Sequence, residues 1–223
     1  MNRKFISFSK KIYQCNKCTR LVNFRNKISL KKRKSYLDQV YWGKPISGFG
    51  DLNGNIIIIG LAPAAHGATR TGRVFTGDKS ADFLFNCLFK SGLSNQPNSD
   101  HINDGLKLKN TFITLALRCV PPEDKPTKEE LKNCSAFFKE ELNMIKNKKV
   151  IVALGKIAFD ACINFYKENY GLTGSYKFGH GSKYNINGLT IFGCYHPSPR
   201  NVNTKRINTT KMTYLFKKAK KLI

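Results

Sequence analysis

Long apolar runs are missing from this chain. The longest, Ile56 to Ala65, is broken by Gly60 and Pro63, whereas a membrane-crossing helix needs about 20 apolar residues. The N-terminus, from Met1 to Lys11, is basic but lacks the apolar centre and small-residue cleavage site of a secretory signal. Both absences point to a cytoplasmic protein with no membrane partner. No Gln-rich, Ser-rich or repeated segment suggests disorder or a solenoid. Acidic residues are scarce, 14 against 39 Lys and Arg, which leaves a net charge of +25. A charge of that size attracts a polyanion and makes its binding salt-dependent, so nucleic acid is the leading partner. Codon bias in a chain rich in Lys, Asn and Ile explains some of the excess. An anionic membrane fits less well, because the basic residues are not gathered on one amphipathic helix.

What is present is an ordinary globular composition, 41% hydrophobic and 24% charged over 223 residues. That length supports one sizeable core, so residues 1–223 are read as a single domain and a monomer. Seven cysteines without an export signal argue against a disulfide scaffold and for metal binding or core packing.

The first fifty residues read as loop-like and basic, with Lys31 to Lys34 as a charged run. A regular alternation follows. Asn55 to Gly60 has four consecutive isoleucines and reads as a strand buried on both faces. Lys79 to Ser91 has helical spacing and stops at Gly92. Thr111 to Leu117 is a second strand. Thr127-Lys-Glu-Glu130 is a capping box that opens a helix to about Lys146. Val150 to Leu154 is a third strand, followed by a helix from Lys156 to Tyr166. Leu189 to Tyr195 is a fourth strand, and a basic helix closes the chain. Alternating strands and helices predict a parallel α/β sheet, with ligands beyond the carboxyl ends of its strands.

Cys15 and Cys18 form a Cys-x-x-Cys pair, which supplies half of a four-ligand site. Cys119, after the second strand, and Cys134, on the following helix, are candidates for the other half; spacing alone does not separate zinc from an iron-sulfur cluster. Cys87, Cys162 and Cys194 sit in apolar patterns and read as packed thiols. In the loop from Gly60 to Asp78, small residues permit close approach of a ligand, Arg70 and Arg73 are candidates for holding phosphates, and Phe75 offers a stacking face. The same loop has neither a GxGxxG nor a GxxxxGK pattern, which weakens a nucleotide-binding enzyme.

Taken with the cysteine spacing, Tyr41-Trp-Gly-Lys-Pro45, Gly48-Phe-Gly-Asp51, the Gly60 to Asp78 loop, Arg118-Cys-Val-Pro-Pro122, Lys125-Pro-Thr127 and His196-Pro-Ser-Pro-Arg-Asn201 resemble family 5 (type b) of the uracil-DNA glycosylases. The resemblance implies a three-layer α/β/α sandwich around a mainly parallel, four-stranded sheet. It implies a 4Fe-4S cluster on Cys15, Cys18, Cys119 and Cys134 that staples the basic segment 1–54 to the domain. It also implies hydrolysis of the N-glycosidic bond of uracil, and of other deaminated bases, in DNA. In that chemistry His196 donates to the uracil O2 as charge develops there, and Phe75 stacks on the flipped base. Ser198, Arg200 and Asn201 press on the DNA backbone and the vacated stack.

Departures from related families bear on mechanism. Leu61 and Ala62 stand where those families carry a carboxylate or amide, so Ala62 is a substrate-binding position without acid or base chemistry. Asp78 is the nearest carboxylate for steadying the sugar or orienting water, and equally suits capping the helix at Lys79. Asp124 occupies a position that is usually Asn, and an ionised Asp there would repel the uracil O4. Three readings stay open: Asp124 is kept protonated by burial, points away from the base, or gives relaxed base reading. A rival of another class is a non-catalytic, iron-sulfur nucleic-acid-binding protein that keeps the fold.

Overall fold

The structure, a computed structural model, describes residues 3–186 and 188–223. Met1 and Asn2 of the basic N-terminus lie outside the described residues.

The central sheet has six strands: β1 (Phe49–Gly50), β2 (Ile56–Gly60), β3 (Thr111–Leu115), β4 (Val150–Leu154), β5 (Lys183–Ile186) and β6 (Leu189–Cys194), in the order β1-β3-β2-β4-β6-β5. The four strands read from sequence form its parallel centre. The expectation of four is corrected by β1 and β5, short antiparallel edge strands. Neither carries a run of alternating apolar residues; β5 is largely exposed, and its pairing with β6 defines it.

Doubly covered strands explain the isoleucine run. Ile56 and Ile58 point into one core with α4 (Lys79–Lys90) and α8 (Thr209–Lys220). Ile57 and Ile59 point into the other, with α5 (Lys128–Met144) and α6 (Lys156–Tyr170). Each fully buried side chain of this size contributes roughly 1.5–3 kcal/mol of burial free energy, so this strand has its register fixed from both sides. The layers are α/β/α. Thr127 caps α5 through the full capping box with Glu130.

Of the first fifty residues, 31–48 are largely loop, as read, but the part before them is not. That part holds α1 (Arg3–Tyr13) and α2 (Thr19–Leu30). In α1, Phe8 and Ile12 are buried one turn apart, and Phe5 meets Phe112 of β3 edge-on at 5.7 Å. Basic residues on the outer faces masked this amphipathic spacing. In α2 one of the two inward residues is an arginine, Arg25, so the apolar signal is weaker still.

Candidate active site and cysteine centre

Loops from the carboxyl ends of β2, β3 and β6 carry the candidate residues. The β2 loop turns through a one-turn helix, α3 (Ala68–Thr71). It is held to the N-terminal segment by backbone bonds from Trp42 N to Arg70 O (2.9 Å) and Gly43 N to Thr69 O (3.0 Å). The Tyr41-Trp-Gly motif is thus part of the loop's scaffold. Phe75 sits at φ +47, a conformation that costs a non-glycine residue on the order of 1–2 kcal/mol. Its ring packs where a Cβ on Gly60 would come within 2.9 Å, so the strand must end in glycine.

Phe75 and His196 face one another, their ring centroids 6.0 Å apart at 34°. His196 follows β6 and retains some exposed surface, yet the surrounding protein desolvates it and pushes its pKa down to about 4. It is therefore neutral at pH 7 and able to donate from an uncharged ring. Asn201 Nδ2 donates to His196 O at 2.9 Å. Ser198 accepts from Asn201 N and caps α7 (Pro199–Asn203). These two side chains hold the loop's own backbone, and Arg200 is exposed beside them.

Asp78 uses Oδ1 to accept from Ser80 N (2.9 Å) and Ala81 N (3.0 Å), capping α4. Burial raises its pKa, against the lowering effect of those two bonds. Its Oδ2 lies where a Cβ on Gly67 would be. The cap and an available second oxygen coexist in one carboxylate.

Arg70 and Arg73 differ in placement. The Arg70 guanidinium stacks on Tyr36 at 4.0 Å and bonds to Gln39 Oε1, His66 O and Gly77 O, while remaining partly exposed. Arg73 is corrected as a DNA contact: it is 5% exposed and grips Asp104 through two bonds of 2.8 and 2.6 Å. Burial opposes ionisation of Asp104, but bonds from Arg73 and from the Leu106 and Asp100 amides hold it well below the usual carboxylate range. Arg73 anchors the loop to residues 99–104, and burial withholds it from phosphate.

Beside the loop a cleft of about 680 Å³ is lined by Arg33, His66, Arg70, Asp78, Asp100 and Asp124, among others. Phe75, His196 and Ala62 are not among its lining residues. Ala62 packs instead against Leu21, Leu117, Cys119 and Cys134. Asp124 is exposed at φ +57, which removes the reading in which burial keeps it protonated. His66 also lines the cleft. Its Nδ1 lies 2.9 Å from Tyr41 Oη, and burial together with Arg33 and Arg70 lowers its pKa.

The two cysteine pairs converge. Cys15 follows α1, Cys18 stands at the N-cap of α2, Cys119 follows β3 and Cys134 lies on α5. Cys119 and Cys134 share one buried cluster with Cys18 packed against it, and Arg25 Nη1 reaches both Cys15 O and Cys119 Sγ, so the four cysteines share one neighbourhood; burial raises the Cys119 thiol and pushes Cys134 up to about 12. N–H groups reach three of them: Arg25 Nη1 to Cys119 Sγ (3.2 Å), Arg118 N to Cys134 Sγ (3.4 Å) and Asn133 Nδ2 to Cys18 Sγ (3.6 Å). Among the described residues, no three His, Cys, Asp or Glu side chains are gathered tightly enough to share a single metal ion. Cys87, Cys162 and Cys194 are buried in the two sheet cores. Below the cysteines, Arg118 pairs with Glu141 at 2.8 Å, both almost fully buried, and Glu141 accepts from Gly48 N at 2.7 Å. Glu141 had no distinguishing signal in the sequence.

A family model described as the Uracil DNA glycosylase superfamily matches residues 47–220. A type-5 uracil-DNA glycosylase of Pyrobaculum aerophilum is 41% identical over 212 residues, covering 95% of this chain and 90% of that protein. One of Thermus thermophilus is 38% identical over 218 residues, covering 97% of each. A type-4 uracil-DNA glycosylase of Sulfurisphaera tokodaii is 26% identical over 166 residues, covering 73% of this chain and 69% of that protein.

Proposed function

This chain belongs to the uracil-DNA glycosylase superfamily and is a DNA-repair glycosylase of that type; from that premise we propose how its residues release the base. Its substrate is DNA containing uracil, with other deaminated bases as further substrates. A base inside a duplex is out of reach, so it is flipped into a pocket. Phe75 stacks on the flipped base. His196, neutral at pH 7, donates to the base carbonyl oxygen where negative charge develops on departure. A neutral imidazole keeps one N–H, and that N–H is what it offers to the oxygen. Asp78, with Oδ1 occupied by the α4 cap, presents Oδ2 to orient water or steady the cationic sugar. Arg70 and Arg200 hold backbone phosphates. Ser198 and Asn201 set the position of the His196 loop against the DNA.

The four cysteines fit a 4Fe-4S cluster, which supplies a structural staple. N–H donors to three of the sulfurs suit the same reading, because such bonds stabilise cluster thiolates. The cluster would tie residues 1–54 to the sheet within a single domain of residues 1–223.

The observation that carries these assignments is the ring-to-ring placement of Phe75 and His196 by loops of β2 and β6. The test is release of free base from uracil-containing oligonucleotides, followed for wild type, His196→Ala and Phe75→Ala. Loss of release with DNA binding retained is expected; unchanged release in both variants overturns the assignment.

A further inference from the structure

Arg25 is a buried cation with no carboxylate. It is 6% exposed, projects from α2, and forms no ion pair among the described residues. The other two buried arginines are matched, Arg73 with Asp104 and Arg118 with Glu141. The bonds of Arg25 go to neutral acceptors and to sulfur: Nη1 to Cys15 O and Cys119 Sγ, both at 3.2 Å, and Nη2 to Asn16 Oδ1 at 2.5 Å. Its Nε is buried without a partner. An unmatched buried charge is costly, and so is a buried donor left unmade. Neutral thiols relieve neither cost.

The geometry points to Arg25 as the counter-ion of the cysteine centre: its guanidinium donates to the Cys119 thiolate and its charge offsets that of the thiolate set. This rests on the cluster reading above. Four thiolates carry more negative charge than an iron-sulfur core cancels, so the assembled centre is anionic. It supplies the anion that Arg25 lacks and acceptors for its remaining N–H. The dependence is mutual. Arg25 is held in place by the loop between Cys15 and Cys18 through Cys15 O and Asn16, so the same residue links the first cysteine pair to the second. A nearby cation also favours addition of an electron, and Arg25 therefore raises the reduction potential of the centre. Among the neighbouring charges, Lys17 stands exposed between Cys15 and Cys18, Arg20 is engaged with Glu130 at 2.7 Å, and Arg118 with Glu141.

The test uses the full-length protein purified anaerobically with its iron, as wild type, Arg25→Lys, Arg25→Gln and Arg25→Met. Reduction potential is read by spectroelectrochemical titration and iron release by a chelator. Arg25→Gln and Arg25→Met should titrate at lower potential than wild type and lose iron several-fold faster, while Arg25→Lys, which keeps the charge, should stay closer to wild type in both. A residue serving only to fill space would make Met and Lys, which are of similar size, behave alike and would leave the potential unmoved. If Gln and Met variants fail to retain the cluster while Lys retains it, the charge is again the cause. Equal potentials and equal iron release in wild type and Arg25→Met overturn the inference, as does a Lys variant as defective as Met. Absence of iron from the wild type overturns the cluster reading itself, and is told apart by that first measurement.

Discussion

Gly67 and Asp78 are in such close contact that no side chain fits at position 67: a Cβ built there collides with Oδ2 of the carboxylate. Glycine is thus needed to leave that oxygen its place. Gly67→Ala should turn the Asp78 carboxylate away and lower single-turnover base release. Asp78→Asn keeps an Oδ1 to cap α4 but removes the charge, whereas Asp78→Ala loses both, with about 1 kcal/mol of stability for the cap. If Asp78 acts only as a cap, the Asn variant retains full activity in a single-turnover assay.

His196 should respond to pH in both stability and rate. Its folded-state pKa, about 4, lies below the ordinary 6.5, so the unfolded chain binds this proton more readily. The stabilising effect is complete above pH 6.5 and is lost as pH falls towards 4, with a limit on the order of 3 kcal/mol. In denaturant melts the wild type should lose stability relative to His196→Ala, by an amount of that order, on going from pH 7 to pH 4. His196→Ala should also slow base release by roughly a hundredfold or more while leaving DNA affinity near its wild-type value.

Cysteine substitution should divide the seven thiols into two groups. Cys15, Cys18, Cys119 and Cys134→Ser should each deplete iron, measured by elemental analysis. Cys87, Cys162 and Cys194→Ser should not, because each lies in a sheet core. Stoichiometric zinc without iron in anaerobically prepared protein would refute the cluster assignment.

Asp124 stands exposed at the cleft with φ +57, a conformation that Asn also tolerates. Asp124→Asn is therefore a clean exchange of chemistry without a backbone change. Activity on uracil should rise relative to hypoxanthine, most clearly at high pH. The same ratio at every pH would remove Asp124 from base recognition.

DNA affinity should fall steeply with salt, given the net charge of +25 and the release of counterions from each neutralised phosphate. Arg200→Ala should flatten that slope by about one contact's worth. Arg73→Met should leave the slope alone and lower stability, since Arg73 is held by Asp104.

The strands of the parallel centre, the capping box at Thr127 and the candidate loops were legible because each is a local pattern: consecutive isoleucines for a doubly covered strand, Thr and Glu three apart for a helix start, glycines where the chain must turn. Cys15 and Cys18 were legible as a pair for the same reason, since Cys-x-x-Cys is a short-range signal, whereas the fold decided that Cys119 and Cys134 come beside Cys18. Tertiary structure alone decided what the charged and edge segments do. Arg73 reads as a surface cation until Asp104, 31 residues away, is brought beneath it. The helix α1 reads as basic loop because lysines on its outer face mask the inward Phe8 and Ile12, and α2 because one of its inward residues is itself an arginine. Edge strands β1 and β5 are defined by the neighbour they pair with, and the second oxygen of Asp78 has room beside the cap only because folding lays a glycine, Gly67, against it. Local periodicity records which face of an element is apolar; which distant group satisfies a buried charge is fixed only when the chain closes on itself.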